Sequence, residues 1–208
     1  EVGKAFLKAL GIDADDAEAL YKLTPKQILD ADVKMRQPTA PGDAVKLTAI
    51  APVIDGDIIP DVTNEMAKKG YSKDVAVIAG TNLDEYALFA MMEPPDFKLD
   101  DAALYRRLSE FLEDKDIPVV VDAYRTHLKK RGKSGTNREV WIATQTDMMF
   151  RLPAIELVEA QTKNGADAYS YLFTWTNPAG PPLGACHALE IGFVFGNMEP
   201  MFCGTGPD

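Results

Sequence analysis

Glu85 and His187 are the residues of this chain whose types and surroundings suit hydrolytic chemistry. Glu85 closes "GTNLDE", residues 80–85, directly after the apolar run "VAVIAG", residues 75–80. His187 ends the loop "NPAGPPLGACH", which follows the aromatic-rich run "AYSYLFTW", residues 168–175. A carboxylate beside a neutral imidazole fixes its tautomer and stabilises the imidazolium formed when the ring takes a proton. The two side chains are thus two-thirds of a hydrolytic triad. They are 102 residues apart, so only the fold can bring them together. In open α/β sheets functional groups gather beyond the carboxyl ends of strands, and each of these residues follows a run that reads as a strand.

Each also has a plainer reading. Asn82 and Glu85 form N-x-x-E, the spacing of a helix capping box. His187 is one of only two histidines and, without a motif, reads as structural or exposed. The other, His127, begins "HLKKRGK", a basic run that reads as a solvated helix end and not as a binding patch. "HALE", His187 to Glu190, offers two ligand types where zinc takes three or four, and no further cluster accompanies it. No metal and no cofactor are expected. Cys186 adjoins His187, but neighbouring side chains in a loop rarely converge into a thiol–imidazole pair. Met148, Met149 and Phe150 read first as core and second as the wall of an apolar pocket. "GKSG", residues 132–135, is not the G-x-S-x-G of a nucleophile elbow, which must follow a strand directly. Neither G-x-G-x-x-G nor a phosphate-binding loop is found.

The elements that must carry these groups are legible from periodicity and punctuation. "KAFLKALG" reads as the end of an amphipathic helix stopped by Gly11. "TPKQIL" starts another, with Thr24 as cap, Pro25 in the first turn and Gln27 completing a capping box. Residues 36–46 are a Pro- and Gly-rich loop, and Asp55-Gly56 marks a tight turn between short apolar runs. Residues 75–79 predict a strand covered on both faces. Leu104, Leu108, Phe111 and Leu112 repeat at helical spacing over 101–114. Further helices are predicted over 117–130, 138–149 and 151–163, and a second strand over 168–175. Strands separated by long helical crossovers predict an α/β fold with a mostly parallel sheet.

Composition narrows the partners. The 208 residues are 46% hydrophobic, with 32 acidic and 22 basic side chains and a net charge of −10. That balance argues against nucleic acid, where clustered cations must offset phosphate. No apolar run approaches the ~18 residues of a membrane span. Two cysteines allow one bridge at most, so a reducing compartment is the default. A cytoplasmic location is expected, with secretion left open. The chain lacks an initial Met and stops at "GTGPD", so it is expected to be a piece of a longer protein.

Five stretches in order, "APVIDGDIIP", "DVAVIAGTNLDEYALF", "TQTDMMFRLPAIELVEAQ", "YSYLFTWTNPAGPPLGACHALEIGFVFGN" and "GTGPD", resemble the type-B carboxylesterases. That family includes bacterial para-nitrobenzyl-type esterases and cholinesterases, and "LGACHALEIGFVFGN" is most similar to the bacterial branch. The resemblance implies a partial α/β-hydrolase fold, residues 1–208 being one incomplete catalytic domain with the later strands and helices of the sheet. It implies a Ser–Glu–His triad with Glu85 as the acid and His187 as the imidazole. Glu190, three places on, takes a supporting hydrogen-bonding role. Leu88 and Phe89 line the substrate pocket, and residues 46–50 form part of the acyl-side wall. Cholinesterases are aromatic where this chain has Leu88, which puts choline-type substrates in doubt because a ring face for the cation is missing.

The family's G-E-S-A-G nucleophile elbow and Gly-rich oxyanion loop do not occur in these residues. The implied substrate is a small carboxylic ester. The implied partner is the complementary N-terminal part of the same esterase. The chain is expected to be inactive alone and to associate with that part, or with itself, through an unpaired sheet edge. The alternative is a non-catalytic esterase-like module used for binding or adhesion. Such relatives typically lose triad residues, so the presence of both Glu85 and His187 favours the enzyme.

Overall fold

Side-chain caps written into the sequence start four of the described α-helices. A computed structural model describes residues 2–37, 52–92, 99–178 and 182–197 of the chain, which forms two units, Glu1–Val53 and Ile54–Asp208. In the first, α1 (Val2–Leu10) is followed by Gly11 in the left-handed region, φ +71°, as predicted. A short α2 (Ala17–Tyr21) is capped by the Asp16 carboxylate, which accepts from the Ala19 N–H at 3.0 Å. The predicted capping box opens α3 (Pro25–Arg36): Gln27 Oε1 accepts from the Thr24 N–H at 2.9 Å, and Thr24 Oγ1 accepts from the Gln27 N–H. α3 packs on α1. The predicted loop beyond Gln37 and the acyl-side segment 46–50 lie outside the described residues.

The second unit carries Glu85 and His187. At Asp55-Gly56 the turn forms, with Gly56 at φ +80°. Asp55 Oδ1 accepts from the Asp57 and Ile59 N–H groups at 3.0 and 2.9 Å. The side chain takes donors that a hairpin ladder would use, and the flanking apolar runs are not strands. Next come α4 (Thr63–Lys68), β1 (Val77–Asn82) and α5 (Tyr86–Phe89), which continues as a 3₁₀ turn over Ala90–Met92. α6 spans Asp101–Leu108, capped by Asp100, and ends six residues before the periodicity does. Leu104 and Leu108 are buried, whereas Phe111, past the helix end, is half exposed. α7 (Ile117–Lys130) has the predicted bounds. Its last-turn Lys129 and Lys130 oppose the negative end of the helix dipole.

Two predicted helices prove to be continuous. α8 (Asn137–Thr146), opened by a Thr136–Glu139 capping box, runs through a π-helical turn (Asp147–Arg151) into α9 (Leu152–Lys163). Pro153 has no N–H for the carbonyl four residues back, and the ladder widens just before it. The Leu152 N–H donates to the Asp147 carbonyl. The Asp147 carboxylate accepts from the Tyr124 hydroxyl of α7 at 2.6 Å and lies 3.6 Å from Arg151 Nε, which fixes the turn. Burial, then the bond to Asp147, push the Tyr124 hydroxyl pKa well above its ordinary value.

β2 (Ala168–Phe173) pairs parallel to β1, from Val77 opposite Ala168 to Asn82 opposite Phe173, and α10 (Ile191–Val194) follows. Gly80 faces Tyr171, and a Cβ there would meet the Tyr171 ring at 2.3 Å. α9 packs on both strands. Its buried Gln161 donates to the Ser72 and Val75 carbonyls at 2.9 and 3.1 Å and accepts from the Ser72 hydroxyl at 2.8 Å, securing the entry to β1. The predicted cover on both faces of β1 is not met among the described residues. Ile78 is 73% exposed, and Tyr169 and Leu172 of β2 are exposed as well. Among the described residues no helix is long and apolar enough to cross a membrane.

Candidate active site

The parallel pairing of β1 with β2 places the ends of both strands side by side. The Leu83 N–H continues the ladder to the Phe173 carbonyl at 2.9 Å, and the two following loops meet directly. His187 Nδ1 lies 2.7 Å from Glu85 Oε2. Glu85 is 5% exposed, and its other oxygen accepts from the Asn82 N–H at 2.7 Å. An ionised carboxylate only accepts, so Nδ1 carries the ring proton and Nε2 presents its lone pair. The His187 side chain is 41% exposed, and among the described residues Nε2 makes no hydrogen bond.

The ring is flanked by Phe89 from α5 and Phe150 from the π turn, with centroids 5.0 and 5.3 Å away. The two phenyl rings stack on each other at 6.0 Å. An α-helical ladder through 147–151 would rotate Phe150 to a different azimuth, so the π turn sets this wall. Its approach is also fixed by Thr146, whose buried Oγ1 accepts from the Tyr86 N–H at 3.1 Å. The expected core role of Met148–Phe150 is therefore corrected. Phe150 is half-buried against the imidazole and Met149 is 45% exposed.

Asp84 and Glu85, adjacent in sequence, do different work. Asp84 is buried. Its Oδ2 accepts from the Ala185 N–H at 3.2 Å, its own N–H donates to the Ala185 carbonyl at 2.9 Å, and Lys133 Nζ donates to Oδ1 at 2.8 Å. Arg131 is 3.4 Å away. Part of the basic run predicted to be solvated thus neutralises a buried carboxylate that clamps the His187 loop. Gly184 (φ +68°) lets the loop close on Asp84, because a Cβ there would lie 2.3 Å from Oδ2. Directly after His187, Ala188 occupies the left-handed region at φ 67°, unusual for a residue with a Cβ. Asp84→Ala orphans the Ala185 N–H and leaves two cations uncompensated. The expected outcome is a loss of about 2–3 kcal/mol of stability, read from denaturant unfolding of the full-length protein.

The other predicted site residues are close by but not equivalent. Glu190 accepts from Asn82 Nδ2, as does the Cys186 carbonyl at 2.7 Å. The N-x-x-E capping box does not form, because α5 begins only at Tyr86: Glu85 accepts from the Asn82 N–H across a turn, and the Asn82 side chain turns to the His187 loop. Leu88 packs against the Ala87, Cys186 and Leu189 cluster, whereas its neighbour Phe89 meets the imidazole. Cys186 is buried in that cluster. Phe150 fits the second reading given for Met148–Phe150, an apolar wall, but a π turn leaves no mark in side-chain periodicity, so its place beside His187 could not be read from the sequence. A hint was available in Pro153 lying inside a helical pattern.

A parallel strand pair, a crossover of helices and an acid–imidazole pair beyond the strand ends define part of an α/β-hydrolase fold. The chain belongs to the carboxylesterase family, whose profile matches residues 2–201. It is 29% identical to the para-nitrobenzyl esterase of Bacillus subtilis (strain 168) over 198 residues, covering 94% of this chain and 37% of that protein. It is 28% identical to the acetylcholinesterase of Bungarus fasciatus over 197 residues, covering 88% of this chain and 32% of that one. A solved structure described as PNB esterase superposes with a TM-score of 0.74 at 26% identity, over 97% of this chain and 40% of its own. The chain thus spans well under half the length of these relatives.

Proposed function

We propose that this chain supplies the acid and the histidine of a Ser–Glu–His site that hydrolyses small carboxylic esters, the serine and oxyanion donors coming from outside these residues. The observation that carries this reading is the 2.7 Å contact between His187 Nδ1 and the buried Glu85 carboxylate, with Nε2 left as the free acceptor. In acyl transfer Nε2 takes the proton of the attacking serine hydroxyl. The imidazolium, stabilised by Glu85, then protonates the leaving alkoxide. Water attacks the acyl-enzyme by the same route, and the serine is released. Phe89 and Phe150 cover one side of the ring and give an ester an apolar wall beside it. Glu190 and Leu88 support this arrangement from behind, through Asn82 and the Cys186 cluster.

The complementary part of the esterase is the proposed partner. It would cover Ile78, Tyr169 and Leu172 and pair a strand edge that has no partner among the described residues. The isolated 208-residue chain is expected to show no saturable turnover of p-nitrophenyl acetate and to associate with its complement or with itself in light scattering. The full-length protein is expected to hydrolyse the ester and to label with a fluorophosphonate at a serine outside these residues. Turnover by the isolated chain that disappears in His187→Ala, or a monodisperse apolar-faced monomer, contradicts the reading.

A further inference from the structure

We propose that Asn82 is the positioning residue that sets the Glu85–His187 geometry, an inference that rests on the catalytic reading above. Asn82 is the last residue of β1 and is 1% exposed. Three of its bonds reach the pair from different sides. Its backbone N–H donates to Glu85 Oε1 at 2.7 Å and so aims Oε2 at the imidazole. Its side-chain Nδ2 donates to the Cys186 carbonyl at 2.7 Å, one residue before His187. The same Nδ2 donates to the Glu190 carboxylate, three residues after it.

The amide therefore straddles the histidine in sequence and ties both sides of its turn to the strand that presents the acid. The orientation of the amide is chemically determined, because both partners are acceptors and only the NH₂ end can serve them. The opposite end, Oδ1, is buried with no hydrogen-bond partner among the described residues. An amide that leaves its carbonyl unpaired in order to hold two acceptors is under a positional demand, not a solvation one. The turn also contains Ala188 at φ 67°, a conformation that persists only when its surroundings over-determine it. Asn82 supplies that constraint on both flanks.

The test uses the full-length protein and two readouts: steady-state kinetics, and the low-field Nδ1–H proton resonance of His187, assigned by its loss in His187→Ala. Asn82→Asp is isosteric but turns an acceptor toward two acceptors. It is expected to remove the low-field resonance and to lower kcat about 10²-fold, the cost of a roughly 1 Å misplacement, with KM changed less than about threefold. Adding Glu190→Gln gives the new carboxylate a donor and is expected to restore both readouts to within about tenfold of the parent. Asn82→Ser, whose hydroxyl serves at most one acceptor, covers the case in which the Asp variant does not fold, and is expected to fall about tenfold in kcat.

The positioning role is overturned if Asn82→Asp, or Asn82→Ser in its place, keeps the resonance and kcat within about twofold. It is also overturned if the double variant is no better than Asn82→Asp alone. A full-length protein without esterase activity in which Asn82→Asp still abolishes the resonance refutes the catalytic reading and leaves the positioning geometry standing.

Discussion

His187→Ala in the full-length protein is expected to lower kcat for p-nitrophenyl esters by about 10⁶-fold, with KM changed only a few-fold. The magnitude follows from how triad members act: loss of the imidazole alone removes about as much as loss of the whole triad. Nε2 is the one nitrogen of the ring without a protein partner among the described residues, and so the one free to take a proton. The fold should survive. The imidazole is 41% exposed, and its flanking rings stack on each other at 6.0 Å without it. The expected signature is therefore an unfolding midpoint within a few degrees of the parent and loss of fluorophosphonate labelling. Retention of more than about 1% of kcat would place the general base elsewhere.

The elements that position the site were largely legible because their signals are local. The Thr24–Gln27 capping box opens α3 of the first unit as predicted; in the second unit the Thr136–Glu139 box is equally local, but the predicted helix starts at 138 without it. α7 has the predicted bounds because an apolar stripe, Pro118 in its first turn and a basic last turn agree. β1 begins at Val77 and continues through Asn82, two residues later at its start and three at its end than the apolar run suggests. Its last residue, Asn82, is polar and serves the opposite loop. That non-local demand is invisible to a strand pattern. The same holds for Phe150, which reaches the imidazole through a π turn, and for Lys133 and Arg131, which find Asp84 across 49 and 47 residues.

"DE" shows the limit most clearly. Two adjacent carboxylates after a strand present the same local sequence signal. Yet Asp84 meets two cations and a backbone N–H, and Glu85 meets an imidazole and a backbone N–H. Both contact the loop after β2, but Asp84 meets Ala185 together with Arg131 and Lys133 from the segment after α7, and Glu85 meets His187. Spacing could name both as candidates. The position after the strand and the resemblance to esterases both pointed to the second, and the hydrogen-bond partners give the physical reason.

Glu85→Gln separates the electrostatic role of that carboxylate from its shape. Gln is nearly isosteric, and its carbonyl oxygen can keep the bond from the Asn82 N–H that Oε1 now accepts. Its NH₂ then faces His187 Nδ1. A donor opposite Nδ1 forces the proton onto Nε2, the wrong tautomer for taking a proton from serine. The ring also loses the negative charge that stabilises it once protonated. The expected result is a fall in kcat of about 10⁴-fold, with KM nearly unchanged and the unfolding midpoint close to that of the parent. Asp84→Ala should give the opposite pattern, a lower midpoint with a surviving kcat. A Glu85→Gln variant that keeps more than about a tenth of the parent kcat would mean that the 2.7 Å contact holds the imidazole in place without setting its protonation.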